Sequence, residues 1–258
     1  QSQQRRWGLV AAGLGGGPFL SILAEITLAL LAVGGVAVWA GQNPQAASTL
    51  ETMGKRLLFA AGNPAAARRA LTHILETYPL LRLAGLTALG VFIPLVEEFF
   101  KPLGVWMLSR KGISPQEGLF SGMLSGGMFA LMESVLSRAQ GDSWLVTLSG
   151  RAGTSLMHIA TAGLVGYALA RAWQERRYLH LGASYLLAVL LHGAWNISVI
   201  NFSGNVFFND NSLQWNATTI SSVLTLAIVL LISLWIVLQL GTPQASPLPV
   251  QEETHGLD

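Results

Sequence analysis

Long apolar runs, most of them interrupted by ionisable side chains, constrain this chain more than any other feature. A helix crosses the apolar core of a bilayer with roughly 20 predominantly apolar residues. Runs near that length occupy residues 18–40, 83–108, 118–136, 144–173, 181–202 and 218–240. Only 11% of all residues are charged, whereas soluble domains average about 25%. The sequence therefore predicts an all-α, polytopic membrane helix bundle with about six transmembrane helices.

The six runs are predicted to form a single membrane-embedded domain that spans residues 1–258. Its core covers residues 83–202, and residues 241–258, rich in Pro, Gln and Glu, are predicted to be a disordered tail. Between the first two spans, Asn63 and Pro64 form a helix-start signal, and Leu71, Ile74, Leu75 and Tyr78 follow at helical spacing. This pattern predicts an amphipathic helix that lies on the membrane or docks on the bundle.

The cations of the short loops predict the orientation, because Lys and Arg in such loops stay on the cytoplasmic side. Three clusters fall on one side, and both termini are therefore predicted to be cytoplasmic; the clusters are Arg5 with Arg6, Arg110 with Lys111, and Arg171 with Arg176 and Arg177. Segment 41–82 fits this rule poorly, since it carries five cations on the predicted outer side. No basic, aromatic-interleaved stretch indicates a nucleic-acid partner. The partner that the composition predicts is the lipid bilayer.

The second run carries a charged cluster that lipid alone would not tolerate. Glu97 and Lys101 lie one helical turn apart, and Glu98 lies three residues before Lys101. Prolines at positions 94 and 102 lack N–H donors and should kink the helix, which frees the carbonyls of Gly90 and Glu98. Broken helices at membrane depth occur where protein or water satisfies such groups. The run therefore predicts a polar site inside the bundle.

Three further runs place ionisable groups beside small residues. Gly118, Gly122 and Gly126 form a close-packing stripe that leads towards Phe129 and Glu133; His158 shares a face with Ala162 and Gly166; and His192 lies one turn before Asn196. Counted at about 1.5 Å per residue, Glu97, Glu133, His158 and His192 all reach a depth of roughly 17–22 Å. Unrelated polar residues would lie at different depths, so the sequence predicts one polar cavity near mid-membrane.

These motifs, in this order, resemble those of the PrsW family of intramembrane proteases, which is grouped with the type II CAAX prenyl endopeptidases and the Aph-1 subunit of γ-secretase. The resemblance covers residues 83–202 and rests on Glu97-Glu98-x-x-Lys101, Phe129-x-x-x-Glu133, His158, and His192-x-x-x-Asn196. The CAAX branch has EExxxR and FxxxH, so Lys101 and Glu133 depart from it. The resemblance implies hydrolysis of a transmembrane or membrane-associated peptide, such as an anti-sigma factor, at a bacterial or archaeal plasma membrane.

The resemblance also implies roles for the catalytic residues. Glu97 would activate water, Glu98 and Lys101 would pair with it or shape it, Glu133 would take the second-motif role, and His192 with Asn196 would hold the oxyanion. Two mechanisms remain open. In a glutamic version, Glu97 and Glu133 share a proton and no cofactor is needed. In a metal version, His158, His192 and Glu133 hold Zn²⁺. HExxH and cysteine are absent, and the metal-independent version is slightly favoured.

Two other classes of protein would need a similar polar cluster. A proton- or ion-coupled transporter also places Glu, His and Lys at mid-membrane, but it predicts flux without cleavage. A non-catalytic scaffold similar to Aph-1 predicts that Glu97→Gln preserves function as long as assembly survives.

Overall fold

A computed structural model describes residues 7–8, 10–108, 112–136, 144–209 and 212–242 of the protein, and all regular elements within these ranges are helical. The helices are α1 (Gly17–Gln42), α2 (Pro44–Ala60), α3 (Pro64–Thr77), α4 (Pro79–Thr87), α5 (Ile93–Phe100), α6 (Leu103–Trp106), α7 (Pro115–Leu136), α8 (Trp144–Glu175), α9 (Tyr178–Phe208) and α10 (Ala217–Gly241). Short π-helical turns precede α1 and α5, at Ala12–Gly16 and Ala88–Phe92. The predicted all-α membrane bundle is confirmed.

Some predictions concern residues outside the described ranges. The loop cations Arg5, Arg6, Arg110 and Lys111 lie there, as does nearly all of the predicted tail, residues 243–258. The orientation of the termini therefore stays a prediction.

Each of the six predicted spans coincides with helix, but the six differ in hydropathy. Within the described part of the chain, four stretches are long and apolar enough to cross a membrane: Ala12–Gln42, Pro79–Trp106, Tyr178–Val206 and Ala217–Gly241. The third and fourth predicted spans, α7 and α8, form helices of 22 and 32 residues that are not among these four stretches. The exact number of spans is therefore not fixed by length and hydropathy.

The segment between the first two spans folds as a helical hairpin of α2 and α3. The predicted helix start is present, because the side chain of Asn63 accepts a hydrogen bond from the N–H of Ala66 and Pro64 occupies the first turn. The α2 helix was not predicted; it begins at Pro44, directly after the first span. A guanidinium nitrogen of Arg56 lies 3.0 Å from Nδ1 of His73 and links the two helices.

The second predicted span is broken at the prolines. Ahead of Pro94 the chain widens into a π-helical turn, in which the N–H of Ile93 bonds to the carbonyl of Ala88, five residues earlier. At Pro102 the helix ends and the short α6 begins. The two prolines thus isolate α5, the eight-residue segment that carries Glu97 and Glu98.

Helices α7 and α8 cross at backbone contact along the predicted glycine stripe. A Cβ atom at Gly118 would lie 2.4 Å from the carbonyl oxygen of Gly166, and one at Gly126 would lie 2.4 Å from that of His158. Side chains at these positions would force the helices apart, so the stripe is needed for the crossing. Helices α9 and α10 pack on α8 and enclose Met157 and Trp195.

Candidate active site

The structure brings the polar residues of four segments together in one cluster. Helix α5 supplies Glu97 and Glu98, with Lys101 directly after it, while α7 supplies Glu133, α8 supplies His158 and α9 supplies His192. The imidazole rings of His158 and His192 lie 5.1 Å apart, edge to face. The structure thus brings together the ionisable groups that the sequence predicted to share one site.

Lys101 is the hub of the inner part of this cluster. Its ammonium nitrogen Nζ lies 2.6 Å from Oε1 of Glu98 and 3.3 Å from Oε2 of Glu97, and its side chain is fully buried. Phe129, in the second motif, places its ring centroid 5.3 Å from Nζ. Two carboxylates and an aromatic face thus surround one cation that has lost its water. Removing the charge of Lys101 would leave the two carboxylates uncompensated in a medium of low dielectric, and removing the carboxylates would leave the ammonium group uncompensated.

Glu98 also fixes the tautomer of His192. Oε1 of Glu98 lies 2.9 Å from Nδ1 of His192, and an ionised carboxylate can only accept hydrogen bonds. The ion pair with Lys101 keeps Glu98 ionised, so we assign the imidazole proton to Nδ1. The 3.1 Å contact between Nζ of Lys101 and Nδ1 then reflects two donors that share one carboxylate oxygen. The other ring nitrogen, Nε2, carries the lone pair.

Glu133 fixes the tautomer of His158 in the same way. Its Oε2 lies 2.9 Å from Nε2 of His158, and its Oε1 accepts a hydrogen bond from Arg151 at 2.8 Å. The guanidinium keeps the carboxylate ionised, so the proton belongs on Nε2. Nδ1 of His158 is then a lone-pair atom, and it is buried without a hydrogen-bond partner.

Three electron-pair donors therefore face one another. One ligand atom from each of Glu97, His158 and His192 lies within 4.8 Å of the other two. Nε2 of His192 is 3.7 Å from Oε2 of Glu97, which is longer than a hydrogen bond. Apart from its contact with Lys101, Oε2 of Glu97 is buried without a hydrogen-bond partner. Because lone pairs repel, this arrangement favours a cation at their centre.

The donor set fits Zn²⁺. Two imidazole nitrogens and one carboxylate oxygen are the protein ligands of many catalytic zinc sites, which keep one position open. Both histidines also have a carboxylate on the nitrogen that faces away, and such outer partners orient and strengthen zinc-bound histidine. The predicted set was His158, His192 and Glu133. In the structure Glu97 joins the two histidines, and Glu133 contacts the far nitrogen of His158 instead.

Asn196 lies apart from the charged cluster. Its side-chain amide donates a hydrogen bond of 3.0 Å to the carbonyl of Leu89. In the π-helical register the partner of that carbonyl would be the N–H of residue 94, which proline lacks. The sequence had assigned the freed carbonyl to Gly90, one residue later. One amide N–H of Asn196 thus stabilises the π-helical turn. The predicted oxyanion role would need the second amide N–H.

The cluster is open on one side only. The side chains of Glu98 and Lys101 are fully buried and that of His192 is 3% exposed, whereas those of Glu97 and Glu133 are 15% and 37% exposed. Water would therefore reach the site past Glu97 and Glu133, and Glu98 and Lys101 form the closed wall.

Two residues near the site escaped the sequence analysis. Arg151, on α8, pairs with Glu133 on α7. Ser125 donates a 2.6 Å hydrogen bond to the carbonyl of Lys101 and ties α7 to the broken span. Its position one residue before Gly126, on the glycine-rich face, was the available signal.

The model of the PrsW family of intramembrane metalloproteases matches residues 7–237. No curated protein sequence and no solved structure matches the chain.

Proposed function

The chain belongs to the PrsW family of intramembrane metalloproteases, and on that basis we propose that it is a zinc-dependent endopeptidase whose metal ligands are Glu97, His158 and His192. Membership makes it a membrane protease and disfavours the transporter and scaffold alternatives. The observation that carries the proposed ligand set is the convergence of these three side chains within 4.8 Å, with both imidazoles held from behind by carboxylates.

Each surrounding residue has a defined task in this proposal. Glu133 holds the proton of His158 on Nε2, and Glu98 holds the proton of His192 on Nδ1, so both rings present a lone pair to the same point. Lys101 offsets the charge of Glu97 and Glu98, which lets two carboxylates stay ionised side by side. Arg151 plays the same part for Glu133.

Zn²⁺, when bound, acts as a Lewis acid that lowers the pKa of a coordinated water and polarises a carbonyl. The chain's own contribution to hydrolysis is proton transfer. Of the two carboxylates of the EExxK motif, Glu97 is the one that reaches solvent, and its second oxygen can accept the proton of the attacking water. The closed wall of Glu98 and Lys101 keeps other water out. Asn196 is proposed, as in the sequence analysis, to donate its remaining amide N–H to the developing oxyanion.

The substrate class follows from the depth of the site. A peptide bond that is cleaved here must enter from the bilayer or its surface, so we propose a single-pass or membrane-anchored regulator of the anti-sigma-factor kind. Co-expression of the protein with tagged candidates of this kind would test the idea by the appearance of a shortened, tagged fragment. A substrate that is cut equally well as a soluble domain without its membrane segment would contradict it.

Metal binding can be measured without a substrate. We expect the purified protein in detergent to bind one equivalent of Zn²⁺ in equilibrium dialysis and His158→Ala to lose most of that affinity. His180→Ala is the matched control, because His180 is exposed and remote from the cluster. Stoichiometric zinc on His158→Ala and the wild type alike would disprove the ligand set.

Cleavage then separates the two mechanisms. With a co-reconstituted substrate, Glu97→Gln should lower the rate by at least roughly 10²–10⁴-fold, the contribution usual for a positioned acid or base, because the substitution also weakens a proposed zinc ligand. Exhaustive chelation should abolish cleavage, and added zinc should restore it. Full activity in metal-free protein would instead support the metal-independent version, with Glu97 and Glu133 as a carboxylate pair.

A further inference from the structure

The hairpin of α2 and α3 contains a cavity that the protease reaction does not use. The cavity measures about 580 Å³ and lies between the two helices. Three cationic side chains, Lys55, Arg56 and Arg69, line it beside Phe59, Ala60, Asn63, Ala66 and Ala70. It therefore combines positive charge with an apolar wall.

The chain ties both ends of the α2–α3 hairpin to the bilayer. The spanning helix α1 ends at Gln42 and α2 begins at Pro44; α3 ends at Thr77 and the next spanning stretch begins at Pro79. Both ends of the hairpin are thus tied to the bilayer by a single intervening residue. The cavity lies near the closed end of the hairpin. If the hairpin lies along the membrane surface, as the sequence predicts for this segment, the cavity is at the level of the lipid head groups.

The positive charge of the cavity is not neutralised from within the hairpin. Lys55 pairs with Glu51, but both side chains are more than 60% exposed, and exposed pairs contribute little. Arg56 contacts the imidazole of His73 and not a carboxylate. Residues 44–77 contain four Lys and Arg but two Glu. These cations are among those that do not fit the charge rule for the predicted side of the membrane.

One large apolar side chain, Phe59, lines the same cavity, and another, Leu58, is its neighbour in the chain. Phe59 is 96% exposed and Leu58 is 77% exposed, next to the buried Ala60 at the end of α2. Exposed aromatic and aliphatic residues beside Lys and Arg are typical of helices that lie at the level of the head groups, with the apolar side chains among the acyl chains. A ligand with both a negative group and an acyl chain would match both walls.

We propose that the α2–α3 hairpin binds an anionic phospholipid, with its phosphate held by Arg56 and Arg69 and its acyl chain against Phe59. Arginine is suited to this task because its planar guanidinium pairs with two phosphate oxygens at once. Lys55 adds charge at the rim. This site is separate from the metal ligands, so it stands or falls independently of the proposed catalytic mechanism.

The test uses the full chain in a neutral detergent, titrated with phosphatidylglycerol or with phosphatidylcholine of the same acyl chains. Native mass spectrometry counts bound lipid, and the thermal midpoint reports stabilisation. We expect roughly tenfold or greater preference for phosphatidylglycerol, and Arg56→Gln/Arg69→Gln should remove most of it. Arg176→Gln/Arg177→Gln removes the same charge between α8 and α9 and should keep the preference. Arg56→Lys/Arg69→Lys keeps both positive charges and should retain part of the preference. This result separates the loss of charge from misfolding of the glutamine variant.

Several results would overturn the proposal. Equal binding of the two lipids by the wild type is one, and an equal loss of preference in the control variant is another. Stabilisation of the same size by inorganic phosphate would assign the cavity to a soluble anion. Stabilisation of that size by soluble poly-glutamate would assign it to an acidic protein partner. None of these outcomes bears on zinc binding or cleavage.

Discussion

The crossed pair α7–α8 and the first spanning helix α1 lie in the same bilayer but follow opposite rules. In α7 and α8, glycines bring the two backbones into contact, and Ser121, Ser125, His158 and Thr161 are buried. In α1, the buried residues are Gly17, Pro18, Ser21 and Ala40, and the long aliphatic side chains between Ile22 and Val38 face outwards.

This difference shows where hydropathy misleads. The exposed α1 qualifies as a membrane span by composition, whereas α7 and α8, which carry Glu133 and His158, do not. A helix surrounded by other helices can be less apolar than one surrounded by lipid, because its polar groups find partners in the protein. The least hydrophobic long helices of this chain are therefore among those that form the active site.

The largest contrast between the two regions should appear when a side chain is added to a glycine. A Cβ at Gly122 would lie 2.2 Å from the carbonyl oxygen of Ala162, whereas one at Gly34 in α1 would meet no described atom within 4 Å. We expect Gly122→Leu to lower the free energy of unfolding by about 3 kcal/mol or more, or to prevent folding. Gly34→Leu should change it little. Midpoints of denaturant unfolding in detergent would show this, and equal effects would break the comparison.

A second contrast concerns the positioning of His158. Replacing Glu133 by Gln removes the charge that holds the imidazole proton on Nε2, and the loss of such an outer partner costs roughly 10–100-fold in metal affinity. Zinc competition with a chromophoric chelator would measure this. Glu117→Gln, on the same helix, is the control; Glu117 accepts a hydrogen bond from the N–H of Ser114. Unchanged zinc affinity in Glu133→Gln would remove Glu133 from the site.

The smallest contrast concerns two hydroxyl groups. Ser125 bonds to the carbonyl of Lys101 across helices at 2.6 Å, while Thr27 in α1 bonds to the carbonyl of Leu23 in its own helix at 2.7 Å. Ser125→Ala should cost about 0.6 kcal/mol of stability, the average for hydrogen bonds between membrane helices. Thr27→Ala should cost close to nothing. If both variants unfold at the same denaturant concentration, the interhelical bond adds no stability.

Much of the fold could be predicted because apolar length and proline position act locally. The predicted first span, residues 18–40, differs by only one or two residues at each end from α1, and the last, residues 218–240, by one at each end from α10. The α2 helix was missed, although Asn43 and Pro44 form the same helix-start signal as Asn63 and Pro64. The sequence also assigned the freed carbonyl to Gly90 and not to Leu89, since the register of the π-helical turn depends on how α9 packs against it.

By itself the sequence determined which residues are polar in an apolar chain and predicted that they share a depth, because the cost of burying charge acts on each residue wherever it falls along a helix. Only the tertiary structure decided which oxygen faces which nitrogen. Glu97 and Glu133 have the same chemistry and similar depth, yet one joins the lone pairs of His158 and His192 and the other holds a proton behind a ring. That choice depends on the rotation of each helix about its axis, which is set by contacts between helices such as those of the glycines between α7 and α8.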